Sequence, residues 1–347
     1  MATSAQSAEQ RELSLVGRVE MRIALADSDG KLETTLKTYL APLLLKLTSE
    51  HQSVRQKVIS ICQHVNTRVK PESIQLPVAA LVKQFKEQQS PLIRHFGLLY
   101  IQQGVIRLSA SEKADLLPTV IKDISASGSH GPQIFNLFLR LLESFRLHPR
   151  GSKEDVEMRE RLEVSDDDVV YLATWLGKLL LFSPPKAPNQ PCPGLAAEDC
   201  VYLSLQGKDD TWNPSLGGLN LLRTKMLGAR LLASGLFNDR ERFLPALFAS
   251  ADPASGISDT GDDMMKRTLP ATNLEDEMLV KRLFEFYFGG NGAPRVRAPL
   301  RVKILGLLNK STKSTTFSNQ IMDLVDDIVA SPSMDGEDVL MTNGPAR

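Results

Sequence analysis

The chain has 347 residues, of which 42% are hydrophobic and 24% are charged, a globular composition that excludes a wholly disordered chain. Lysine plus arginine equals aspartate plus glutamate at 41 each. This neutral total argues against a dedicated nucleic-acid-binding or membrane-surface protein, since both need a basic excess or patch. The unbroken apolar runs are far shorter than the roughly twenty residues that span a bilayer, so no transmembrane segment is predicted.

The three cysteines, Cys62, Cys192 and Cys200, are too few for a disulfide framework. The opening stretch, MATSAQSAEQ, lacks the basic and apolar regions of a secretory signal. We therefore expect a reducing intracellular compartment.

The first predicted helix opens at a capping box formed by Ser7 and Gln10. Apolar residues then recur at helical spacing and give the helix one apolar face. We expect this helix to close one end of the helices that follow. Its apolar positions are Leu13, Val16, Val19 and Ile23.

Two amphipathic helices follow, between Leu36 and Val69. Pro42 predicts a kink in the first, because proline removes a backbone donor and crowds the preceding turn. Either Ser49 or Ser53 can cap the second. Such a pair buries only part of its apolar surface and needs a similar pair on each side. The apolar faces contain Leu36, Leu40, Leu43, Leu44 and Leu47, then Val54, Val58, Ile61, Cys62, Val65 and Val69.

The helical pattern continues to Phe145. The next helix contains an internal Pro77, and the one after it opens at Pro91. Ser109 and Glu112 predict a capping box for a third helix. The apolar positions are Ile74, Val78, Leu81, Val82 and Phe85; Leu92, Ile93, Phe96, Leu99 and Tyr100; Leu116, Val120, Ile121 and Ile124; and Ile134, Phe135, Phe138, Leu141, Leu142 and Phe145. Residues 1–147 are thus predicted to be helix pairs, with Pro118 inside one helix.

Two insertions interrupt this pattern. Residues 148–164 are charged, and residues 183–215 carry clustered proline and glycine that predict a loop, which we interpret as a mobile spacer rather than a partner-binding segment. Between them, 165–182 is predicted to be a helix opened by Ser165 and three aspartates. Helix pairs resume over 216–330, and the polar stretch 331–347 is predicted to be a disordered tail.

Two parts of the chain correspond in a way that indicates an irregular internal repeat. In each, an apolar residue lies twelve residues after a proline that is inside a predicted helix. The corresponding positions are Pro42 with Pro245, Val54 with Ile257, Ile61 with Met264, Cys62 with Met265 and, less regularly, Val58 with Gly261. No alternation of apolar and polar residues of strand length competes with the helical pattern.

The order of kinking proline, leucine-rich helix, short polar turn and Val54-Arg55 resembles a HEAT repeat. More narrowly, an ordered series of blocks resembles the N-terminal end of the large HEAT-repeat adaptor that stabilises the 26S proteasome. The blocks are VEMRIALA at 19–26, the leucine-rich run at 39–47, the Val-Arg segment at 53–58, IQLPVAAL at 74–81 and FLPALFASADPASGISDTGDDMMKRTL at 243–269.

This resemblance implies an all-α fold, a HEAT-like α-α superhelix (α-solenoid) of irregular antiparallel helix pairs. It also implies a non-enzymatic adaptor or scaffold, cytoplasmic and nuclear, that binds core and regulatory particle subunits of the proteasome, stabilises their association and links them to other proteins. From the residues alone, a solenoid of another kind, such as a transport receptor or cytoskeletal regulator, stays open as the alternative.

The resemblance further implies that the chain is the first part of a longer protein. The helix predicted over Phe317 to Val329 agrees with this, because a repeat array should end in a helix with a polar outer face and this one is amphipathic. We expect it to offer an apolar stripe to a neighbour. The stripe consists of Ile321, Leu324, Val325 and Ile328.

No residue is predicted to be catalytic, to bind a cofactor or to hold a metal, and the partner-binding residues are not predictable. The five histidines share no helical face, and Cys192 and Cys200 have no second cysteine pair nearby. The glycines at 289–292 lack the lysine and hydroxyl residue of a phosphate loop and predict a turn. Two basic groups without interleaved aromatics are interpreted as solvated faces. They are Arg140, Arg146 and Arg150, and Arg295, Arg297, Arg301 and Lys303.

Overall fold

A computed structural model describes residues 7–184, 187, 190–205 and 211–330, and the predicted tail 331–347 lies outside these described residues. The chain divides into two compact units between Val120 and Ile121. The described residues are all-α, as predicted, with sixteen α-helices and two strands of two residues each. The HEAT-like pairing of these helices stays a prediction. No described helix combines the length and the apolar character needed to cross a bilayer.

The first unit contains six helices, of which α1 packs against α2 and α3, while α4 packs against α5. Their apolar positions are buried as predicted, with Val54, Ile61 and Val65 at most 1% exposed. The exceptions are Leu13, Val19, Phe96 and Leu99, which are half-buried, and Leu92, which is 42% exposed. The helices are α1 Ala8–Ala24, α2 Asp29–Leu45, α3 Gln52–Arg68, α4 Val78–Glu87, α5 Pro91–Val105 and α6 Ala110–Ile121.

Both predicted capping boxes of this unit are present. The Ser7 Oγ accepts from the Gln10 amide at 3.2 Å, and the Ser109 Oγ accepts from the Glu112 amide at 3.3 Å. Pro42 and Pro118 lie inside α2 and α6, as predicted. Pro77, however, is at the N-cap of α4 rather than inside it. A proline fits there because the first amides of a helix have no intrahelical partner.

The predicted serine cap of α3 is wrong. The N-cap residue is His51, and no side chain caps the helix. Instead the hydroxyl groups of Ser49 and Ser53 donate to the carboxylates of Glu12 and Glu9 on α1. A hydrogen bond from serine to a charged carboxylate is stronger than one between serine and a backbone amide. These two serines therefore join the start of α3 to α1 and do not cap α3.

The second unit contains the remaining helices, and its central contacts join α12 to α13 and both α11 and α12 to α9. A short antiparallel hairpin, β1 Gly289–Gly290 with β2 Ala293–Pro294, follows α14. The helices are α7 Gly131–Leu142, α8 Lys153–Leu162, α9 Asp166–Leu181, α10 Ala197–Leu203, α11 Leu221–Ala233, α12 Asp239–Ser250, α13 Ser255–Thr268, α14 Glu277–Phe288, α15 Ala298–Leu308 and α16 Ser318–Ala330.

Both insertions contain helices that the sequence pattern did not predict. The charged segment forms α8, whose Asp155 is 1% exposed and accepts from the amides of Gly151 and Gly235 at 3.0 Å each. The proline-rich segment contains α10, although residues 185, 186, 188, 189 and 206–210 lie outside the described part. Ile124 was predicted to belong to the same helix as Leu116, but it lies in a 3-10 helix after α6.

The Asp168 carboxylate joins the start of α9 to the turn that follows α6. Its oxygens accept from the amides of Asp123 and Ser125 at 3.0 and 2.9 Å and from the Ser165 hydroxyl at 2.7 Å. Asp123 has a left-handed φ of 55°, a conformation that aspartate tolerates better than most residues. Burial raises the pKa of Asp168, but the hydrogen bonds from Ser125, Ser165 and Asp123 outweigh it, and the net pKa is lowered.

One carboxylate of the helix α16 makes several polar contacts with the rest of the second unit. Asp327 accepts from the Tyr287 hydroxyl at 3.1 Å and lies 3.5 Å from the guanidinium groups of Arg295 and Arg301. Two residues of the predicted apolar stripe are exposed, Val325 at 47% and Ile328 at 49%, and the other two, Ile321 and Leu324, are half-buried.

Because Val325 and Ile328 of α16 are exposed whereas the apolar face of α3 is buried, we expect the amides of α16 to exchange with solvent faster than those of α3. Hydrogen exchange followed by mass spectrometry on the monomeric chain measures both segments in one experiment. Equal protection in Ser318–Ala330 and Gln52–Arg68 would contradict the prediction.

Candidate protein-binding groove

A groove of about 1220 Å³ lies in the second unit, between α9, α12, α14 and the hairpin. This volume exceeds the roughly 300–1,000 Å³ that is typical of small-molecule pockets. Its volume leaves room for a segment of polypeptide.

One wall of the groove is α12, which begins at a capping box. The Glu241 amide donates to the Asn238 side-chain oxygen at 3.0 Å, and the Asn238 amide donates to the Glu241 carboxylate at 2.9 Å. Pro245 lies inside this helix and faces Gly177 of α9. A Cβ at Gly177 would lie 3.2 Å from the Pro245 Cγ, so the glycine permits the close approach of α9 and α12.

Aromatic side chains form the apolar floor. Phe248 and Phe286 pack edge to face with ring centroids 4.9 Å apart, a favoured geometry for aromatic pairs. Phe243 beside them is 2% exposed. The Arg282 guanidinium lies 5.8 Å from the Phe286 ring centroid, within the range of a cation–π contact. The floor is thus apolar and carries a cation at its edge.

Charged side chains of both signs surround this floor. Lys178 and Asp199 form an ion pair with Nζ and Oδ1 2.6 Å apart. Such a mixed rim suits a polypeptide that carries both acidic and basic residues, whereas a nucleic acid would favour a uniformly basic rim. The charged lining residues are Lys178, Arg240, Lys281 and Arg282, together with Asp199, Glu241, Asp276 and Glu285.

The hairpin forms one end of the groove, and it confirms the turn predicted at 289–292. Its two central residues, Asn291 and Gly292, have φ of 52° and 79°. A two-residue hairpin loop of type I′ requires positive φ at both positions, and Asn-Gly is the preferred sequence for it. The predicted absence of strand-length patterns is compatible with so short a hairpin.

An aromatic cluster from α7, α9 and α10 lies behind Lys178. Trp175 and Tyr202 stack with centroids 3.5 Å apart, and the Lys178 Nζ lies 4.5 Å from the Trp175 ring centroid. The hydroxyls of Tyr171 and Tyr202 share a hydrogen bond. Burial is the main cause that raises the pKa of both phenols, so both stay protonated at neutral pH. The cluster therefore packs α10 against its neighbours and adds no negative charge to the groove.

The interpretation of the second basic group as a solvated face is wrong for Arg301. This side chain is 4% exposed and is paired with Asp327. The Lys303 Nζ lies 2.8 Å from both the Asp262 carboxylate and the Ser250 carbonyl. In the first group, Arg150 pairs with Asp239 at 3.1 Å. Sequence spacing shows a run of cations but not the acids that approach them from other helices.

None of the five histidines lines the groove. Among the described residues, no group of three or more histidine, cysteine, aspartate or glutamate side chains is arranged to hold a metal ion. The groove residues Arg240, Lys281 and Arg282 carried no recognisable signal in the sequence. The one available hint is that Arg282 and Phe286 are four residues apart, a spacing that places both on one helix face.

The fold and the groove together define an all-α protein with a groove lined by apolar side chains and by charges of both signs. The chain belongs to the family described as "Proteasome component ECM29, N-terminal", whose sequence model matches residues 16–338. This confirms the resemblance stated from the sequence blocks.

Relatives from distant eukaryotes match most of the chain. It is 31% identical to "Proteasome component ECM29" of Saccharomyces cerevisiae, over 90% of this chain and 18% of that protein. It is 24% identical to "Proteasome adapter and scaffold protein ECM29" of Homo sapiens, over 92% of this chain and 18% of that protein. The chain therefore spans less than a fifth of the length of these relatives. No solved structure matches it significantly.

Proposed function

We propose that the chain is a proteasome-binding part of an adaptor or scaffold that stabilises the association of the core and regulatory particles. Its membership of the ECM29 family carries this proposal. The names of the relatives, a proteasome component and a proteasome adapter and scaffold protein, support it. In this role the chain also connects the proteasome to other proteins, in the cytoplasm and the nucleus.

The proposed role is non-enzymatic and depends on surface complementarity. A scaffold brings partners together by binding each of them, so its affinity comes from buried apolar anchors and matched charges. The groove between α9, α12 and α14 offers both, with the Phe248 and Phe286 rings below and charged side chains around them. We propose that it takes a segment of a proteasome subunit with acidic and basic residues around an apolar anchor.

Purified 26S proteasome should be retained by the immobilised chain in a pull-down. A variant with Arg240→Glu, Lys281→Glu and Arg282→Glu should bind about tenfold more weakly or worse, because reversed charges in the rim repel the partner groups they now face. Binding is measured by the amount of proteasome retained at a series of concentrations.

A matched control reverses the same number of cations outside the groove, at Lys153, Lys266 and Lys310. The first and second of these side chains are 86% and 74% exposed in their surface ion pairs, so their loss should leave binding unchanged. If the wild-type chain retains no proteasome, the proposed function is wrong. If both variants bind as the wild type does, the function stands and the assignment of the groove is wrong.

A further inference from the structure

Cys192 and Cys200 form a pair of thiols that the proposed function does not use. Their Sγ atoms lie 3.6 Å apart, with Cys200 donating a hydrogen bond to Cys192. Both are free thiols, and their exposure is 4% and 1%. A disulfide bond is about 2.05 Å long, so an approach of roughly 1.5 Å would join the two sulfurs.

The fold brings these cysteines together from two different local structures. Cys192 begins a tight turn, in which the Leu195 amide donates to the Cys192 carbonyl at 2.8 Å. The turn is attached to the hairpin, because the Gly194 amide donates to the Pro294 carbonyl at 3.0 Å. Gly194 has a φ of 84°, a conformation that favours glycine. Cys200 lies on α10. The sulfurs therefore meet through tertiary structure.

The surroundings of the pair assign a different role to each thiol. The hydrogen bond from Cys200 lowers the pKa of Cys192 against the opposing effect of burial, and Ser183 and the charge of Arg297 lower it further. The same hydrogen bond raises the pKa of Cys200, as does its burial. Cys192 is thus the thiol that loses its proton, and the thiolate is the reactive nucleophile.

We propose that Cys192 and Cys200 are a redox-active dithiol that a peroxide converts into a disulfide. The deprotonated Cys192 sulfur attacks one oxygen of hydrogen peroxide, the O–O bond breaks, and the leaving hydroxide takes up the proton as water. The Cys192 sulfenic acid is then attacked by the Cys200 sulfur as it loses its proton. The S–O bond breaks and releases a second water. Two thiols lose two electrons and two protons, and one peroxide is reduced to two waters.

The disulfide would act on one edge of the groove. Gly194, Leu195 and Ala196 line the groove, as does Asp199, which is adjacent to Cys200. A covalent bond between the turn and α10 would fix this edge, because it removes freedom from the loop between them. The inference concerns thiol chemistry and holds whether or not the groove binds a proteasome subunit.

The test treats the purified wild-type chain with hydrogen peroxide, blocks remaining thiols with N-ethylmaleimide and identifies unreduced peptides by mass spectrometry. A linked pair of peptides containing Cys192 and Cys200, lighter by two hydrogens than the separate peptides, is the expected product. Cys62 is the internal control, because it is also buried but has no second thiol beside it, and burial raises its pKa to about 11 whereas the pKa of Cys192 is lowered. We expect the pair to react about tenfold faster than Cys62 or more.

Two variants separate the roles of the thiols. Cys200→Ser should leave Cys192 as a sulfenic acid that dimedone captures, and Cys192→Ser should leave Cys200 as slow to react as Cys62. In the wild-type chain, reaction of all three cysteines at one rate would overturn the proposal. So would consumption of Cys192 and Cys200 without the linked peptide. The wild-type comparison decides the question even if a variant fails to fold.

Discussion

Replacing Gly261 with alanine should destabilise the second unit by about 3 kcal/mol or more, since overpacking of this kind usually costs 1–3 kcal/mol and here the colliding atoms are backbone. Gly261 lies in α13 where that helix contacts α12. An added Cβ would be 2.2 Å from the Ser250 N and 2.6 Å from the Ala249 carbonyl carbon. Neither backbone atom can rotate away as a side chain could, so α12 and α13 must separate.

The matched control is Gly256→Ala in the same helix. An added Cβ there would meet only the Met226 Cε, at 3.8 Å, an ordinary contact. Alanine is favoured over glycine inside a helix by up to about 1 kcal/mol, so this variant should be neutral or more stable. Urea unfolding followed by circular dichroism measures both. Similar midpoints for the two variants would show that α12 and α13 do not approach as described.

Replacing Ile61 with aspartate should destabilise the first unit by about 4 kcal/mol or more, because it removes apolar burial and places a carboxylate where it has no partner. Ile61 is 1% exposed, and Val58 and Val65 on the same helix face are both 0% exposed. The thermal midpoint of the variant should fall well below that of the wild-type chain, or the unit should fail to fold.

Gln63→Asp is the control for this change. Gln63 is exposed on the same helix, two residues beyond Ile61. It introduces the same carboxylate into α3 but leaves it in water, so its effect should stay within about 0.5 kcal/mol, as for most surface substitutions. Unchanged melting of the Ile61 variant would mean that the buried face of α3 has been assigned wrongly.

The sequence predicted those features that depend on neighbours along the chain. The capping boxes at Ser7 and Ser109 formed as predicted, because their partners are three residues away. The repeat correspondence paired Val54 with Ile257, and both residues are 0% exposed. It paired Val58 with Gly261 as an irregularity, and the close contact with α12 explains it, since only glycine fits there.

Features that depend on distant residues could not be predicted. Ser49 and Ser53 bond to carboxylates from α1 rather than to their own helix, and Arg301 is buried against Asp327. The charged composition of 148–164 did not indicate the helix α8. The buried carboxylate of Asp155 in this helix accepts hydrogen bonds from two glycine amides, one of them the distant Gly235. The groove assembles from three helices and a hairpin, and no single stretch of sequence contains enough of it to be recognised.

The attachment of α16 through Asp327 has a consequence for the behaviour of the chain in salt. Two cations and one hydroxyl converge on this carboxylate, while Val325 and Ile328 face solvent. Added salt screens the partly exposed Arg295–Asp327 pair more than the pair with the buried Arg301, with a Debye length of about 10 Å at 0.1 M and 3 Å at 1 M, and it does not weaken apolar burial. In the hydrogen-exchange experiment, protection of Ser318–Ala330 should therefore fall with increasing sodium chloride, whereas that of Gln52–Arg68 stays constant. Ionic strength would then set how firmly the last described helix is docked.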